Sequence, residues 1–275
     1  MGVESTIVCF EDVSLRFGDT VALDHVSFQM GPGETRVVFG AAGSGKTVLL
    51  KVAVGLLRPD SGRVFLLGQD ITNMKPQALF DLRARVGILF QEGALFDSLN
   101  VAENVAYPLE NQRSLRAAAG TRTTEARVRE TLEFVELEHT LEKFPSELSG
   151  GMRRRVGIAR AVVTEPALVL YDSPTAGLDP ITAHTIITLI LKERDTRNTA
   201  TIMVTHRFQD GQLMANFRYN PNSGEIERAP RGSAETVDTK FLIMQEGRLV
   251  FEGSETEFLG NQDPYVRKFA RPGAS

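Results

Sequence analysis

The chain has 275 residues, 42% hydrophobic and 24% charged, enough for a large buried core under an ordinary solvated surface. Its formal net charge of −4 argues against a general nucleic-acid binder, because a phosphate backbone demands a basic face. A single cysteine, Cys9, excludes an internal disulfide and fits a reducing compartment. No apolar run is long enough to span a bilayer, and the acidic start (Glu4, Glu11, Asp12) lacks the pattern of a signal peptide.

Residues 6–13 and 21–29 are rich in Val, Ile and Phe and read as strands, joined by a turn at Gly18-Asp19. Cys9 is expected as a small apolar filler in the first. Residues 35–39 form a short continuous apolar run, the signature of a strand buried on both faces. Residues 46–57 are apolar nearly all round, which predicts a buried helix ended by Pro59-Asp60-Ser61-Gly62. Strands are expected at 63–67 and 86–90. From 92 to 165 the pattern is helical, with an amphipathic stretch at 125–135 and a helix capped by Ser149 that runs to about residue 164. Short apolar strands follow at 167–171 and 201–205. Between them a helix starts at Pro180, which suits the first helical position, with Asp179 as its cap. Residues 241–244 and 248–251 read as a hairpin around Glu246-Gly247. The polar segment 216–239 is a surface excursion or an extra hairpin for partner contact.

Strands alternating with helices predict an α/β fold around a largely parallel sheet, with an antiparallel β layer at the front and an inserted helical subdomain. Three features carry chemistry. Gly40-Ala41-Ala42-Gly43-Ser44-Gly45-Lys46-Thr47 joins a buried strand to a buried helix. Its glycines let backbone N–H groups curl around phosphate oxygens, and the helix adds its positive end. Lys46 is a point charge for the outer phosphates, and the Thr47 hydroxyl is a Mg2+ ligand. Asp172 follows the apolar strand Leu168-Val169-Leu170-Tyr171, where open α/β sheets bind ligands, and is expected to hold Mg2+ through water. Ser149-Gly150-Gly151 opens a helix, and its free amides and hydroxyl make a second anion site. One chain cannot easily fold both anion sites onto one γ-phosphate, whereas two chains arranged head to tail can.

With these motifs in hand, the chain resembles an ATP-binding cassette (ABC) ATPase subunit over almost its full length. The resemblance implies a P-loop NTPase core, here 1–91 and 165–260, a helical subdomain at 92–164 and a tail at 261–275. It implies ATP and Mg2+ as cofactors, with Thr47, Gln91 and Asp172 around the metal. Phe17 matches the aromatic that stacks on adenine, and Gln91 the glutamine that senses Mg2+ and the membrane partner. Leu148, Ser149, Gly150, Gly151 and Met152 match the family signature, which acts on the nucleotide of the other subunit. Gly177-Leu178-Asp179 match the loop that crosses the dimer, and His206 the histidine that contacts the γ-phosphate. The implied partners are a second ATP-binding subunit, as in a homodimer, and a transmembrane permease. The implied location is the inner face of the cell membrane, reached through that permease from the cytoplasm.

Within the family, the stretches 89–99, 104–109 and 145–155 resemble the ATPase of Mla-type phospholipid, or organic-solvent-resistance, transporters. Leu95, Phe96, Leu99 and Val101 are expected either to line a groove for a permease helix or to form the core of the helical subdomain. One position departs from the family. After the magnesium aspartate stands Ser173, where relatives carry the glutamate that orients and polarises the attacking water. A serine is neutral and too short for that work. The expectation is ATP binding and ATP-driven dimer closure, with slow hydrolysis unless another carboxylate, such as Asp179, substitutes.

Overall fold

The computed structural model describes residues 6–111, 122–229 and 238–270. The N-terminal strands β1 (Val8–Phe17) and β2 (Thr20–Met30) pair antiparallel across the turn at Gly18-Asp19. β1 runs four residues past the expected end. Shifts of register at 10–13 and 13–15 let it bend around the core while staying paired. β1 also pairs with β4 (Ser61–Leu66), and the two-residue β5 (Gln69–Asp70) completes a four-stranded antiparallel layer in the order β2-β1-β4-β5.

The central sheet has six strands in the order β12-β11-β3-β8-β7-β6. These are β3 (Thr35–Gly40), β6 (Val86–Leu89), β7 (Leu168–Asp172), β8 (Ala200–Val204), β11 (Thr239–Gln245) and β12 (Arg248–Gly253). All neighbours are parallel except the hairpin partner β12. Every residue of β3, β7 and β8 is buried, because each strand has a neighbour on both sides and a packed layer on both faces. On one face, the antiparallel layer and helix α1 (Lys46–Ala53) enclose a core around Phe10, Leu23, Leu49 and Leu170. α1 stops four residues short of the expected end, where Gly55 turns at φ 67.

On the other face one cluster runs without a break from Val105, Leu132 and Val156 to Phe39 and Tyr171. It unites α3 (Val101–Asn111), α4 (Thr124–Phe134), α5 (Gly150–Val162) and the long α6 (Pro180–Arg197) with the sheet. A short helix the sequence did not announce, α2 (Pro76–Arg83), buries only Leu79 and Leu82, too few for a legible stripe. After α7 (Phe208–Asn216) the polar segment forms a hairpin of β9 (Phe217–Asn220) and β10 (Glu225–Arg228). It docks on α6: Arg194 donates to the carbonyls of Met214 and Phe217, and Asp195 accepts from Arg218 and the Tyr219 amide. The rest of that segment, 230–237, lies outside the described residues. α8 (Glu255–Gly260) closes the expected core and α9 (Pro264–Phe269) lies in the expected tail, of which 271–275 lie outside the described residues. Phe39, Phe241 and Phe258 stack at 5.1–5.9 Å and tie α8 to the sheet, and Phe269 of α9 meets Phe39 at 6.5 Å.

Candidate functional site

The loop leaves β3 at Gly40 and enters α1 at Lys46, at the carboxyl ends of the parallel strands. Gly45 precedes the helix at φ 100, and a Cβ there would stand 2.4 Å from the Ala22 carbonyl. Only glycine fits that approach. α1 has no side-chain cap, so its first amides are left for a ligand. The Lys46 ammonium lies over the loop and donates to Gly40 O at 2.9 Å, Ala41 O at 2.7 Å and Ser44 Oγ at 3.3 Å. Burial pushes its pKa down, and the Asp172 charge pulls the other way.

The Thr47 hydroxyl donates to Asp172 Oδ2 at 2.8 Å, and the Ser173 hydroxyl donates to Oδ1 of the same carboxylate at 3.2 Å. A cleft of about 510 Å3 opens above them. Phe17, Gly40, Ala42, Gly43, Ser44, Gly45, Lys46, Thr47, Gln91, Asp172, Ser173 and His206 all line it. Phe17, 50% exposed, presents a bare ring at its edge. Of the expected cradle residues, Ala41 alone is absent from the lining; its amide instead donates to Tyr265 Oη at 3.2 Å.

The chemistry of this donor set fits Mg2+ with a polyphosphate. The Asp172 carboxylate and Thr47 hydroxyl meet in a cleft that the Gln91 carboxamide also lines, and all three offer hard oxygen atoms, as suits an ion that keeps several waters and phosphate oxygens. Among the described residues no cluster of three His, Cys, Asp or Glu side chains forms a self-sufficient metal cage. The half-buried ammonium and the uncapped helix start supply the countercharge for phosphate.

The second anion motif lies elsewhere. Ser149 caps α5, its hydroxyl accepting from the Met152 amide at 3.2 Å, and neither it nor Gly150 lines the cleft of its own chain. Both are exposed. Leu148 is buried, Met152 packs against the core, and a Cβ on Gly151 would stand 2.6 Å from Thr182 Cγ2, so α5 presses against the first turn of α6. Asp179 is also outside the cleft. Its carboxylate accepts from the amides of Ile181 and Thr182 and from the Thr182 hydroxyl, bonds to Thr182 that hold its pKa below the usual range. Those bonds commit it to capping α6.

Three residues that the sequence did not single out tie these loops together. Arg154 on α5 donates to the carbonyls of Ser173 and Ala176. Buried Asp210 accepts from the hydroxyls of Thr175 and Thr205, joining the loop after Asp172 to the one that carries His206. Tyr265 reaches the phosphate loop from α9. A buried arginine in α5 and an aspartate one helical turn past His206 were weak sequence cues. Tyr265 offered none.

Of the four apolar residues expected at a permease groove or in the core, Val101 is fully buried and Leu95 packs against the core. Phe96, 40% exposed, belongs to a groove of about 400 Å3 that also takes in Ile88, Phe90, Tyr107 and Arg160. The Phe96 and Tyr107 rings stand 4.5 Å apart, with the Arg160 guanidinium over Phe96.

Residues 23–176, which run from the front strands through the phosphate loop to the loop after Asp172, match the pattern of ABC transporters. The chain belongs to the ABC transporter family. It is 30% identical over 273 residues to the intermembrane phospholipid transport system ATP-binding protein MlaF of Haemophilus influenzae, covering 98% of this chain and 92% of that one. It is 36% identical over 248 residues to the methionine import ATP-binding protein MetN of Corynebacterium efficiens, but covers only 61% of that longer relative. Among solved structures it resembles a dimeric ATP-binding cassette in a post-hydrolysis state with ADP and Pi, with TM-score 0.74, 26% identity, 90% of this chain covered and 98% of the other. The P-loop cassette fold with its antiparallel layer is thereby established. No helix among the described residues of this family member is long and apolar enough to cross a membrane.

Proposed function

We propose that the chain is the ATP-binding subunit of a membrane transporter for phospholipids or similar hydrophobic solutes, and that it works as a dimer closed by ATP. The observation that carries this reading is the separation of two anion sites: the cleft holds Lys46, Thr47 and Asp172, while the exposed Ser149 helix start lies outside it. In the dimer, Ser149 and the Gly150 and Gly151 amides complete the cleft of the other copy, and Asp179 follows α5 across the interface. Phe17 offers an apolar face to the adenine ring. Lys46 exchanges its loop carbonyls for phosphate oxygens. Thr47, Gln91 and Asp172 hold Mg2+, which when bound neutralises phosphate charge and orients the outer phosphates. His206 and the partner's signature stabilise the γ-phosphate end.

Hydrolysis is slow, because the Ser173 hydroxyl is neutral and already engaged with Asp172, and Asp179 is engaged as a cap. The chain thus closes readily and reopens late. A second reading, a nucleotide-gated clamp with negligible turnover, draws on the same Ser173 geometry. Single-turnover hydrolysis with the permease present separates the two. In this reading the groove at Phe96 and Tyr107 receives a short permease helix, and the chain works at the inner face of the cell membrane through that permease. The phospholipid assignment draws on the likeness to MlaF over 98% of this chain and 92% of that one, and on the stretches 89–99, 104–109 and 145–155. The likeness to a methionine importer makes the substrate a question for experiment.

The test is light scattering with Mg2+–ATP, with Mg2+–ADP and without nucleotide. A dimer formed only with ATP, and lost on Ser149→Arg, is the expected result. A chain that binds ATP yet stays monomeric at high concentration would sink the reading. Detergent extraction with the chain as bait is expected to bring down a multispan permease with associated lipid.

A further inference from the structure

Resting on the reading of the cleft as a nucleotide site, we propose that Tyr265 is a positioning residue of the phosphate loop, its hydroxyl setting the orientation of the loop's first peptide. Tyr265 stands 224 residues from that loop, on a rigid pedestal. Asp263 caps α9 by accepting from the Tyr265 and Val266 amides, and Val266 is buried. Phe269 meets the Tyr265 ring edge-on at 5.2 Å and packs against Phe39 of β3 at 6.5 Å. The hydroxyl makes two bonds from this position: it accepts from the Ala41 amide at 3.2 Å and donates to the Met244 carbonyl at 3.0 Å.

Both partners sit where the loop begins. Met244 pairs with Gly40 across the parallel ladder, at the point where β3 leaves the sheet. β11 abuts it so closely that a Cβ on Gly40 would stand 2.4 Å from the Met244 carbonyl. The Gly40–Ala41 peptide is therefore held at both ends: its N–H, that of Ala41, is bound to Tyr265, and its carbonyl, that of Gly40, accepts from the Lys46 ammonium at 2.9 Å. The next carbonyl, that of Ala41, accepts from the same ammonium at 2.7 Å and from the Ser44 amide at 3.2 Å. Turning that peptide would move the acceptor that parks Lys46 and tilt the amides that follow. The Tyr265 hydroxyl prevents the turn, and it explains why Ala41 does not line the cleft. Ala41 is exposed, so water can satisfy its amide if the hydroxyl is lost, but water does not fix its direction.

The experiment uses the full chain with Tyr265→Phe, which keeps the ring and removes the oxygen. Two quantities are read: the dissociation constant for Mg2+–ATP by calorimetry, and the thermal midpoint without nucleotide. The expected result is binding weaker by about 3- to 10-fold, the scale of one hydrogen bond, with the midpoint within about 2 °C of wild type. Tyr265→Leu, which also loses the ring packing, is expected to show the same affinity loss with a lower midpoint. Wild-type affinity in either variant overturns the proposal, and a lowered midpoint alone makes Tyr265 a strut of α9 only. Lys46→Ala separates the two levels. If the wild-type chain binds no ATP, or binds it as Lys46→Ala does, the reading of the cleft fails; if that control behaves and Tyr265→Phe binds normally, only the Tyr265 inference fails.

Discussion

After Asp172 the chain turns left-handed, with Ser173 at φ 52, its amide on the Val204 carbonyl and its own carbonyl on Arg154. The backbone is thus held from both sides, and only the side chain decides what chemistry is available. Ser173→Glu keeps that backbone and adds a carboxylate. It is expected to raise single-turnover ATP hydrolysis by about 10²–10⁴-fold, the usual worth of a general base. Ser173→Ala is expected to change hydrolysis little, since the hydroxyl serves Asp172 and not a water. An equal rate in all three proteins would show that another group does the work. The phosphate loop and Asp172 were legible because each follows an apolar strand and local spacing reports local chemistry, whereas Phe17, Gln91 and His206 came from the resemblance to the family. Arg154 and Asp210 were not legible in the same way. Their partners, Ser173, Ala176 and Thr175, lie on other elements and are brought near only by packing.

Helix ends and docked elements decide the next scale. Ser149 does two things: it caps α5 and, in the proposed dimer, faces the other copy's nucleotide. Ser149→Ala is expected to cost about 1 kcal/mol of stability in urea unfolding through the lost cap. Ser149→Asp retains capping while placing a negative charge where phosphate should sit. It is expected to stay as stable as wild type and to lose ATP-driven dimerisation; dimerisation at wild-type affinity would argue against the cross-dimer role. The hairpin β9–β10 poses a different problem. The turn residues around Asn220-Pro221-Asn222-Ser223-Gly224 announced a reversal, but its docking on α6 depends on Arg194, 1% exposed, bonded to Asp195 and to two hairpin-side carbonyls. Nothing in the local pattern marks Arg194, because a single arginine in a helix is usually solvated. Arg194→Ala leaves those two carbonyls without their donor, while Asp195 keeps Arg218 and the Tyr219 amide, and is expected to cost about 2–4 kcal/mol by denaturant unfolding. A cost below about 1 kcal/mol would mean that the hairpin is only loosely seated.

For the molecule as a unit, one buried carboxyl makes stability depend on pH. Glu193 of α6 is 1% exposed beneath Tyr171, with Arg197 at 3.2 Å and the Thr199 hydroxyl at 3.3 Å. Burial pushes its pKa from 4.5 up to about 7, more than Arg197 pulls it down. Between those values the folded chain keeps a proton that the unfolded chain releases, so this contribution is complete below about pH 4.5 and is lost as pH rises through about 7. Glu193→Gln is expected to match wild type near pH 4.5 and to exceed it at pH 8 by on the order of 1–3 kcal/mol. A variant less stable than wild type at pH 8 would show that the ion pair with Arg197 outweighs burial. By itself, the sequence determined the α/β class, the order of the strands along the chain, the phosphate loop, Asp172 and the Ser149 helix start. All of these are written in spacings of a few residues, over which covalent geometry and side-chain periodicity act directly. Only the tertiary structure decided that the signature lies outside its own cleft, that the polar segment docks as a hairpin, that Val101 is core while Phe96 faces a groove, and that Tyr265 reaches Ala41. Those outcomes depend on contacts between residues distant along the chain, which are selected by the packing of the whole core and leave no periodic trace in the sequence.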